Sequence, residues 1–341
     1  METSKPTGTT VSVVMISYND EKIIEECLNS VRRQDYPQNL IEIVLVDGGS
    51  SDKTADIASK YNATIISRPD LKNQPGVRGG IALTESKSDL VLFFSADNRL
   101  DESSALRMMV EGLMESNAFA AESLRYGYRQ SDPALSRYFA LIGGTDPVAI
   151  ALGKADRKPY DHNSWLGHGK AHDFGDFYSV KFEKNISKIP TLGANGFLFK
   201  RHIIGKSDYA KSAYHIDMCA EAILNGHDTV LFFKKIHTTH YLDLKLFDFI
   251  KRRVLYANMY QGEAGDRIYK ILDKTVYLKL LIYIICSLTV IAPLTRSCKG
   301  FMAVRDIAWF LHPITCFAFT LGYGRMILVN LLNKFWLFKP S

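Results

Sequence analysis

Over the first 120 residues the hydrophobic and polar positions switch repeatedly between two periods. VSVVMIS (11–17), IEIVLV (41–46), ATIIS (63–67) and DLVLFF (89–94) are short runs rich in β-branched and aromatic residues and read as strands. Between them, EKIIEECLNSVRRQ (21–34) places apolar residues at 23, 24, 27, 28 and 31, the helical period. SDKTADIASKY (51–61), which opens on a capping serine, VRGGIALTES (77–86) and ESSALRMMVEGLMES (102–116) also read as helices. Strands that are apolar throughout and alternate with helices predict an α/β fold, a mostly parallel sheet covered on both faces. Ligands of such sheets collect beyond the carboxyl ends of the strands. Asn19, Asp20, Asp47 and Asp97 all fall there.

The pattern lapses over 125–192, a stretch rich in Gly, Asp, His and aromatics with one helix expected near 133–142. It resumes with IPTLGANGFLFKR (189–201), a helix around 215–225 and a strand, DTVLFF (228–233). LFDFIKRRVLYANMY (246–260) is basic, aromatic and amphipathic, and two long apolar runs follow, Val276–Leu294 and Ile307–Leu332. Charge divides the chain at the same place. From Lys234 onward there are 16 Lys and Arg against 6 Asp and Glu, whereas the first 233 residues carry 26 against 30. Cations that flank apolar runs point to a membrane surface rather than to nucleic acid. Each run is long enough to span a bilayer. Arg296, Lys299 and Arg305 between them favour instead a hairpin held in the cytosolic leaflet, and spanning and re-entrant forms both stay open. The five cysteines form no CxxC pair and the polar N-terminus has no apolar leader, so the first domain is expected to face the cytosol with reduced thiols.

Three stretches carry candidate chemistry. In VDGGSSDKT (46–54) a strand delivers Asp47 into a glycine turn, where its carboxylate can meet a nucleobase N–H or a ribose hydroxyl; a plain loop with Ser51 as helix cap is the other reading. SYND (17–20) offers the flat face of Tyr18 and a second carboxylate, Asp20, and is also ordinary turn chemistry. In SADN (95–98), Asp97 is a hard oxygen donor suited to a divalent cation on a diphosphate, while Asp101 is placed to serve the following helix N-terminus.

Taken together, VSVVMISYND, IVLVDGGSSDKT, GVRGG, FFSADN and TLGANGFLFKR resemble a family-2 glycosyltransferase of the GT-A fold, a Rossmann-like, mostly parallel sheet with flanking helices. The resemblance runs from about Val11 to about His240 and is similar to membrane-associated members of the family. It implies a nucleotide pocket of Ser17, Tyr18, Asp20, Asp47, Gly48, Arg78, Ser95 and Ala96. It implies Mg²⁺ or Mn²⁺ held by Asp97, with His240 completing the metal or diphosphate site, and a loop of Gly193, Ala194, Asn195 and Gly196 under the donor sugar and acceptor. Ser95 departs from the family's Asp-x-Asp pattern, leaving the second carboxylate for the metal. The family's general base would fall on His215 or Asp217, of which the carboxylate is preferred. His162, His168 and His172 suggest zinc only faintly, with no cysteine among them; Tyr160 and Trp165 could stack on a sugar.

The expected organisation is a glycosyltransferase domain over 1–240, a basic interfacial segment over 241–275 and a hydrophobic helical hairpin over 276–341. The expected activity is inverting transfer from a nucleotide sugar to a lipid-linked saccharide or cell-surface glycan, at the cytosolic face and among membrane lipids. The alternatives are a polyprenyl-phosphate glycosyltransferase, which needs no base because its acceptor is already an anion, and a non-catalytic nucleotide-sugar binder. A nucleotidyltransferase would want a glycine-rich basic loop after the first strand, which SYNDEK is not.

Overall fold

The structure, a computed structural model, describes residues 8–162, 169–212, 214–262, 265–272 and 274–337, with side chains to 333. In chain order its strands are β1 (Val11–Ser17), β2 (Ile41–Asp47), β3 (Ala63–Ser67), β4 (Leu90–Phe93), β5 (Asn98–Leu100), β6 (Ala120–Ser123), β7 (Gly169–Asp173), β8 (Phe177–Phe182), β9 (Phe197–Lys200), β10 (Thr229–Phe233) and β11 (Thr238–His240). The helices are α1 (Ile24–Arg32), α2 (Thr54–Ser59), α3 (Pro75–Glu85), α4 (Ala105–Met114), α5 (Ala134–Ile142), α6 (Pro147–Ala151), α7 (Arg201–Ile204), α8 (His215–Leu224), α9 (Leu246–Gly262), α10 (Tyr277–Thr289), α11 (Ile291–Ala303) and α12 (Leu311–Leu337).

Two compact units result. The first comprises Met1–Tyr128 and Leu166–Tyr241. Its main sheet has the order β3-β2-β1-β4-β9-β6-β10-β8-β7. β3, β2, β1 and β4 run parallel, as the strand–helix alternation predicts, and β9 enters antiparallel between β4 and β6. Val11, Val13, Met15, Ile43, Leu45 and Leu92 pack with Ile24, Leu28 and Val31 of α1 and Leu106, Met109 and Val110 of α4 into one core. The remaining pair, β5 with β11, forms a separate two-stranded ladder in which Asn98 faces His240.

Several elements differ from the sequence expectation. β5 and β11 have three residues each, too few for a period to show. β7 and β8 make an antiparallel hairpin inside the stretch read as irregular. β7 is exposed at four of its five positions, so it lacks the apolar run that marked the other strands. Ser51 does not cap α2; instead Asp52 Oδ1 accepts from the Thr54 amide at 3.0 Å. Asp101 is not devoted to the α4 N-terminus. Its Oδ1 accepts from Arg99 Nε at 2.8 Å and its Oδ2 from the Thr239 hydroxyl at 2.6 Å.

The second unit comprises Arg129–Trp165 and Leu242–Ser341, so the 129–165 segment groups with the C-terminal residues rather than with the first domain. Ile307–Asn333 is long and apolar enough to cross a membrane. The run Val276–Leu294 is not one straight helix: α10 and α11 meet at 84°, across Val290 at φ 64°. Large apolar side chains lie open along this unit, among them Leu278 (69% exposed), Ile291 (72%) and Ile307 (73%). So large an apolar surface marks contact with lipid or protein.

Gly80 in α3 lies so close to the 210–212 turn that a Cβ there would stand 1.9 Å from the Lys211 carbonyl oxygen. In a free helix, Gly→Ala gains roughly 1 kcal/mol; here overpacking against backbone costs about 1–3 kcal/mol and wins. Gly80→Ala should therefore lower the urea midpoint, and a raised midpoint would refute the close approach. Glu42 is opposed by burial, yet hydrogen bonds from Ser12, the Lys87 amide and Ser88 outweigh it and hold the carboxyl below its ordinary value. A lowered folded pKa stabilises above the unfolded value of about 4.3 and loses that contribution as pH falls through the folded pKa. Glu42→Gln should flatten the acid limb of stability against pH below about 4.3, measured by denaturant titration across that range.

Candidate active site

β1 and β2 pair in parallel with Ser17 opposite Asp47, so their C-terminal loops leave the sheet side by side. The second loop is organised by its own acid. Asp47 is 4% exposed. Its Oδ2 accepts from the amides of Gly49 (2.9 Å) and Ser50 (2.7 Å), and its Oδ1 from the hydroxyls of Ser50 (2.5 Å) and Ser17 (3.3 Å). A carboxylate offers about four acceptor positions, and here all four meet protein donors. The residue matched to nucleobase binding is, in this structure, the organiser of the loop that would wall the base.

The first loop is sewn to the second. Asn19 adopts φ 55°, a conformation asparagine tolerates, and bridges across: its amide donates to Ser50 Oγ and its Oδ1 accepts from the Ser51 amide, each at 2.9 Å. Asp20 turns inward, accepting from the Tyr18 amide at 3.0 Å while its own amide donates to Thr54 Oγ1 at 2.8 Å. The Tyr18 ring lies 4.5 Å from Lys72 Nζ, a cation–π contact. Arg78, matched to a role facing the nucleotide, is 5% exposed. Its guanidinium lies beneath the first loop, donating to the Ser17 carbonyl and, at 3.4 Å, to that of Lys72. Gly48 makes room for it, since a Cβ at that position would sit 2.7 Å from Arg78 Nη1.

Beyond β4 the chain passes through Ser95 and the buried Ala96 to Asp97. The β5–β11 ladder brings His240 to this turn. His240 Nε2 lies 3.1 Å from Asp97 Oδ2, and the two side chains are 16% and 15% exposed. The other carboxylate oxygen accepts from Asn98 Nδ2 at 2.8 Å, and Asn98 Nδ2 also reaches Asn195 Oδ1 at 3.3 Å. Asn195 in turn donates to Tyr126 Oη at 3.1 Å. The sequence-matched pair Asp97 and His240 thus does meet, and the 193–196 loop is linked to it. Behind it, Cys27 donates to the Ser95 carbonyl at 3.5 Å. Burial, then the Asp97 charge, push that thiol well up and keep it unreactive.

A carboxylate oxygen beside an imidazole nitrogen suits Mg²⁺ or, better, Mn²⁺. His240 Nδ1 is buried and meets no hydrogen-bond partner among the described residues. Among the described residues no group of three or more His, Cys, Asp and Glu gathers to hold a metal. Asp97 and His240 would supply such a cation with one oxygen and one nitrogen ligand. Of the three histidines that suggested zinc, His172 lies in the exposed β7 and His162 in the second unit, while His168, like Trp165, lies outside the described residues.

The 193–196 loop holds three left-handed residues, Gly193 (φ 105°), Asn195 (φ 55°) and Gly196 (φ 87°). Glycine is needed at both ends. A Cβ at Gly196 would lie 2.5 Å from Thr238 Oγ1, and one at Gly193 2.9 Å from the His215 carbonyl. The loop therefore rests on the first turn of α8. There the two candidate bases differ: Asp217 is 0% exposed, whereas His215 is half-buried.

Sequence reasoning missed three groups. Glu122 on β6 is fully buried, and together with Asp217 it acts on the Cys219 thiol, which burial first and then these two charges push well up. Arg99, 2% exposed, underlies the Asp97 turn, and Tyr126 holds Asn195. The signal available was a charge inside an apolar strand, FAAES for Glu122.

Comparison with known proteins agrees with this geometry. Residues 12–174, rather less than half of the chain, match the family model described as Glycosyl transferase family 2. The chain is similar to the Staphylococcus aureus poly(ribitol-phosphate) β-N-acetylglucosaminyltransferase TarS, 35% identical over 95 residues that make up 27% of this chain and 17% of the relative. It is also similar to a Methanococcus voltae dolichyl N-acetyl-α-D-glucosaminyl phosphate 3-β-D-2,3-diacetamido-2,3-dideoxy-β-D-glucuronosyltransferase, 43% identical over 47 residues, 14% of this chain and 15% of the relative. The aligned stretches span about a sixth of the length of these relatives. Among solved structures, the Pyrobaculum calidifontis mannosyltransferase PcManGT superposes with a TM-score of 0.54 at 14% identity, covering 95% of this chain and 88% of that one. The sheet that carries the site is therefore a GT-A fold, and the segment that lays down its first half matches the family-2 glycosyltransferases.

Proposed function

We propose that the chain is an inverting glycosyltransferase that moves a sugar from a nucleotide-sugar donor to a lipid-linked saccharide or cell-surface glycan at the cytosolic membrane face. The observation that carries this reading is the shared strand-end edge. The interlocked loops after β1 and β2 and the Asp97 turn after β4 follow neighbouring parallel strands of the segment that matches family 2, and His240, from beyond that segment, meets Asp97. The relatives' names support the acceptor class, one naming poly(ribitol phosphate) and the other a dolichyl-linked sugar phosphate. The superposed mannosyltransferase is a complex with GDP-Man and Mn²⁺, which supports a nucleotide-sugar donor and a metal. The open apolar surface of the second unit and the long apolar helix Ile307–Asn333 support a place at the membrane.

In this mechanism Ser17, Tyr18, Asp20 and the 47–50 loop enclose the nucleoside, with Arg78 and Gly48 fixing the loop's height. Asp97 and His240 would hold the divalent ion, which when bound supplies charge stabilisation to the departing diphosphate. The 193–196 loop, free of side chains at its glycines, lets the sugar and acceptor approach the backbone. A hydroxyl acceptor must lose its proton as it attacks. The preference for a carboxylate favours Asp217 for that task; the enclosure of Asp217 and the partial exposure of His215 at the helix start favour His215 instead. We assign the base to His215 and give Asp217 the role of positioning the first turn of α8.

Calorimetric binding of nucleoside diphosphates, with and without Mn²⁺, tests the donor site. One diphosphate should bind at least about ten-fold more tightly with metal, and Asp97→Asn should remove that difference while leaving metal-free binding in place. Absence of nucleotide binding under every metal condition would overturn the reading. Steady-state turnover tests the base. His215→Asn should lower kcat by roughly 10²-fold or more with little change in donor KM, whereas Asp217→Asn should act chiefly on thermal stability. If neither variant alters kcat, a polyprenyl phosphate acceptor, which needs no base, becomes the better reading.

A further inference from the structure

The second unit contains a cavity of about 780 Å³ at the bend between α10 and α11, lined by Thr289, Thr295, Arg296 and Lys299 together with Asp161 and His162. Asp161, whose side chain is only 4% exposed, accepts from Arg296 Nε at 2.9 Å and Nη2 at 3.4 Å, and lies 3.1 Å from His162 Nδ1. This fixes the guanidinium through one edge and leaves Nη1 outside the pair. Lys299 is exposed and forms no ion pair among the described residues. The hydroxyls of Thr289 and Thr295 donate to their own helix carbonyls, so recognition falls to the cations. With Asp161 set against Arg296, the cavity keeps a positive balance. Its rim is apolar: Ile291 is 72% exposed and Leu294 46%.

A cationic hollow with an apolar rim matches the two halves of an amphiphile, phosphate and acyl chain. We propose that the α10–α11 elbow binds the phosphate headgroup of an anionic phospholipid. The left-handed Val290 creates the elbow, and α11 carries both the cations and the apolar residues next to them. A free phosphate ester would satisfy Arg296 and Lys299 alone; the exposed Ile291 and Leu294 favour the lipid. This inference rests on the membrane reading given above, and its test separates the two.

The full chain would be mixed with vesicles of phosphatidylcholine alone, or containing about one-third phosphatidylglycerol, and recovered by flotation. The wild type should partition into anionic vesicles about ten-fold better than into neutral ones. Lys299→Gln should lower the anionic partition by about five-fold, the effect of one cation near a charged surface, and leave the neutral partition unchanged. Lys270→Gln, an equal change of charge at an exposed residue that does not line the cavity, should alter neither. The inference is overturned if the two lysine variants behave alike, if Lys299→Gln matches the wild type, or if millimolar glycerol phosphate displaces the chain from vesicles. Equal binding of the wild type to both vesicle types defeats this inference alone, whereas binding to neither defeats the membrane reading as well.

Discussion

Arg99 sets the constraint on which the site depends. Its side chain is 3% exposed, and its charge is met by Glu26 of α1 at 3.0 Å and Asp101 at 2.8 Å, with Thr239 of β11 at 3.3 Å. A buried guanidinium must be paired, and removing one partner from such a group costs about 3–5 kcal/mol. The partners come from three separate segments, and all three meet beneath the Asp97 turn. The arginine therefore requires α1, β5 and β11 to assemble together, and β11 is the strand that ends in His240. The ion network fixes where the strand lies, and the strand fixes the histidine.

The remaining geometry of the first unit follows from parallel pairing. Neighbouring parallel strands leave the sheet on the same side, so Ser17, Asp47 and the turn after β4 share an edge without a dedicated contact to bring them together. The loops then lock one another. Asp47 orders its own turn, Asn19 and Ser50 bridge the two loops, and Arg78 supports the Ser17 carbonyl from below. Loops fixed in this way are shaped before any ligand arrives, which reduces the ordering cost of binding.

How much of this was legible depends on what each residue's signal could be. β1, β2 and β4 are apolar on both faces, and composition alone reveals such strands. The strand-end acids were legible because a carboxylate following a buried run is conspicuous. The partners of those acids were not. Nothing local in SYND or VDGGSS shows that Asp47 turns to its own amides, and the meeting of Asn98 with His240 is a register between residues 142 apart. Asp101 was read from its helix, whereas its partners are Arg99 and Thr239. Val290 gave no warning of the elbow, because a β-branched residue is an uncommon choice for a left-handed turn and only the tertiary fold imposes it there.

The ladder between β5 and β11 is only three residue pairs long and stands apart from the nine-stranded sheet. Its residues are nonetheless enclosed: Asn98, Arg99 and Leu100 are 1%, 2% and 2% exposed, and Thr238 and Thr239 2% and 0%. Opening the ladder would strip the buried Arg99 guanidinium of its partners, at a cost of about 3–5 kcal/mol. The ladder's hold on His240 is thus set by charge pairing rather than by its length, and a change at Glu26, far away in sequence on α1, would reach the histidine through the strand rather than through the large sheet.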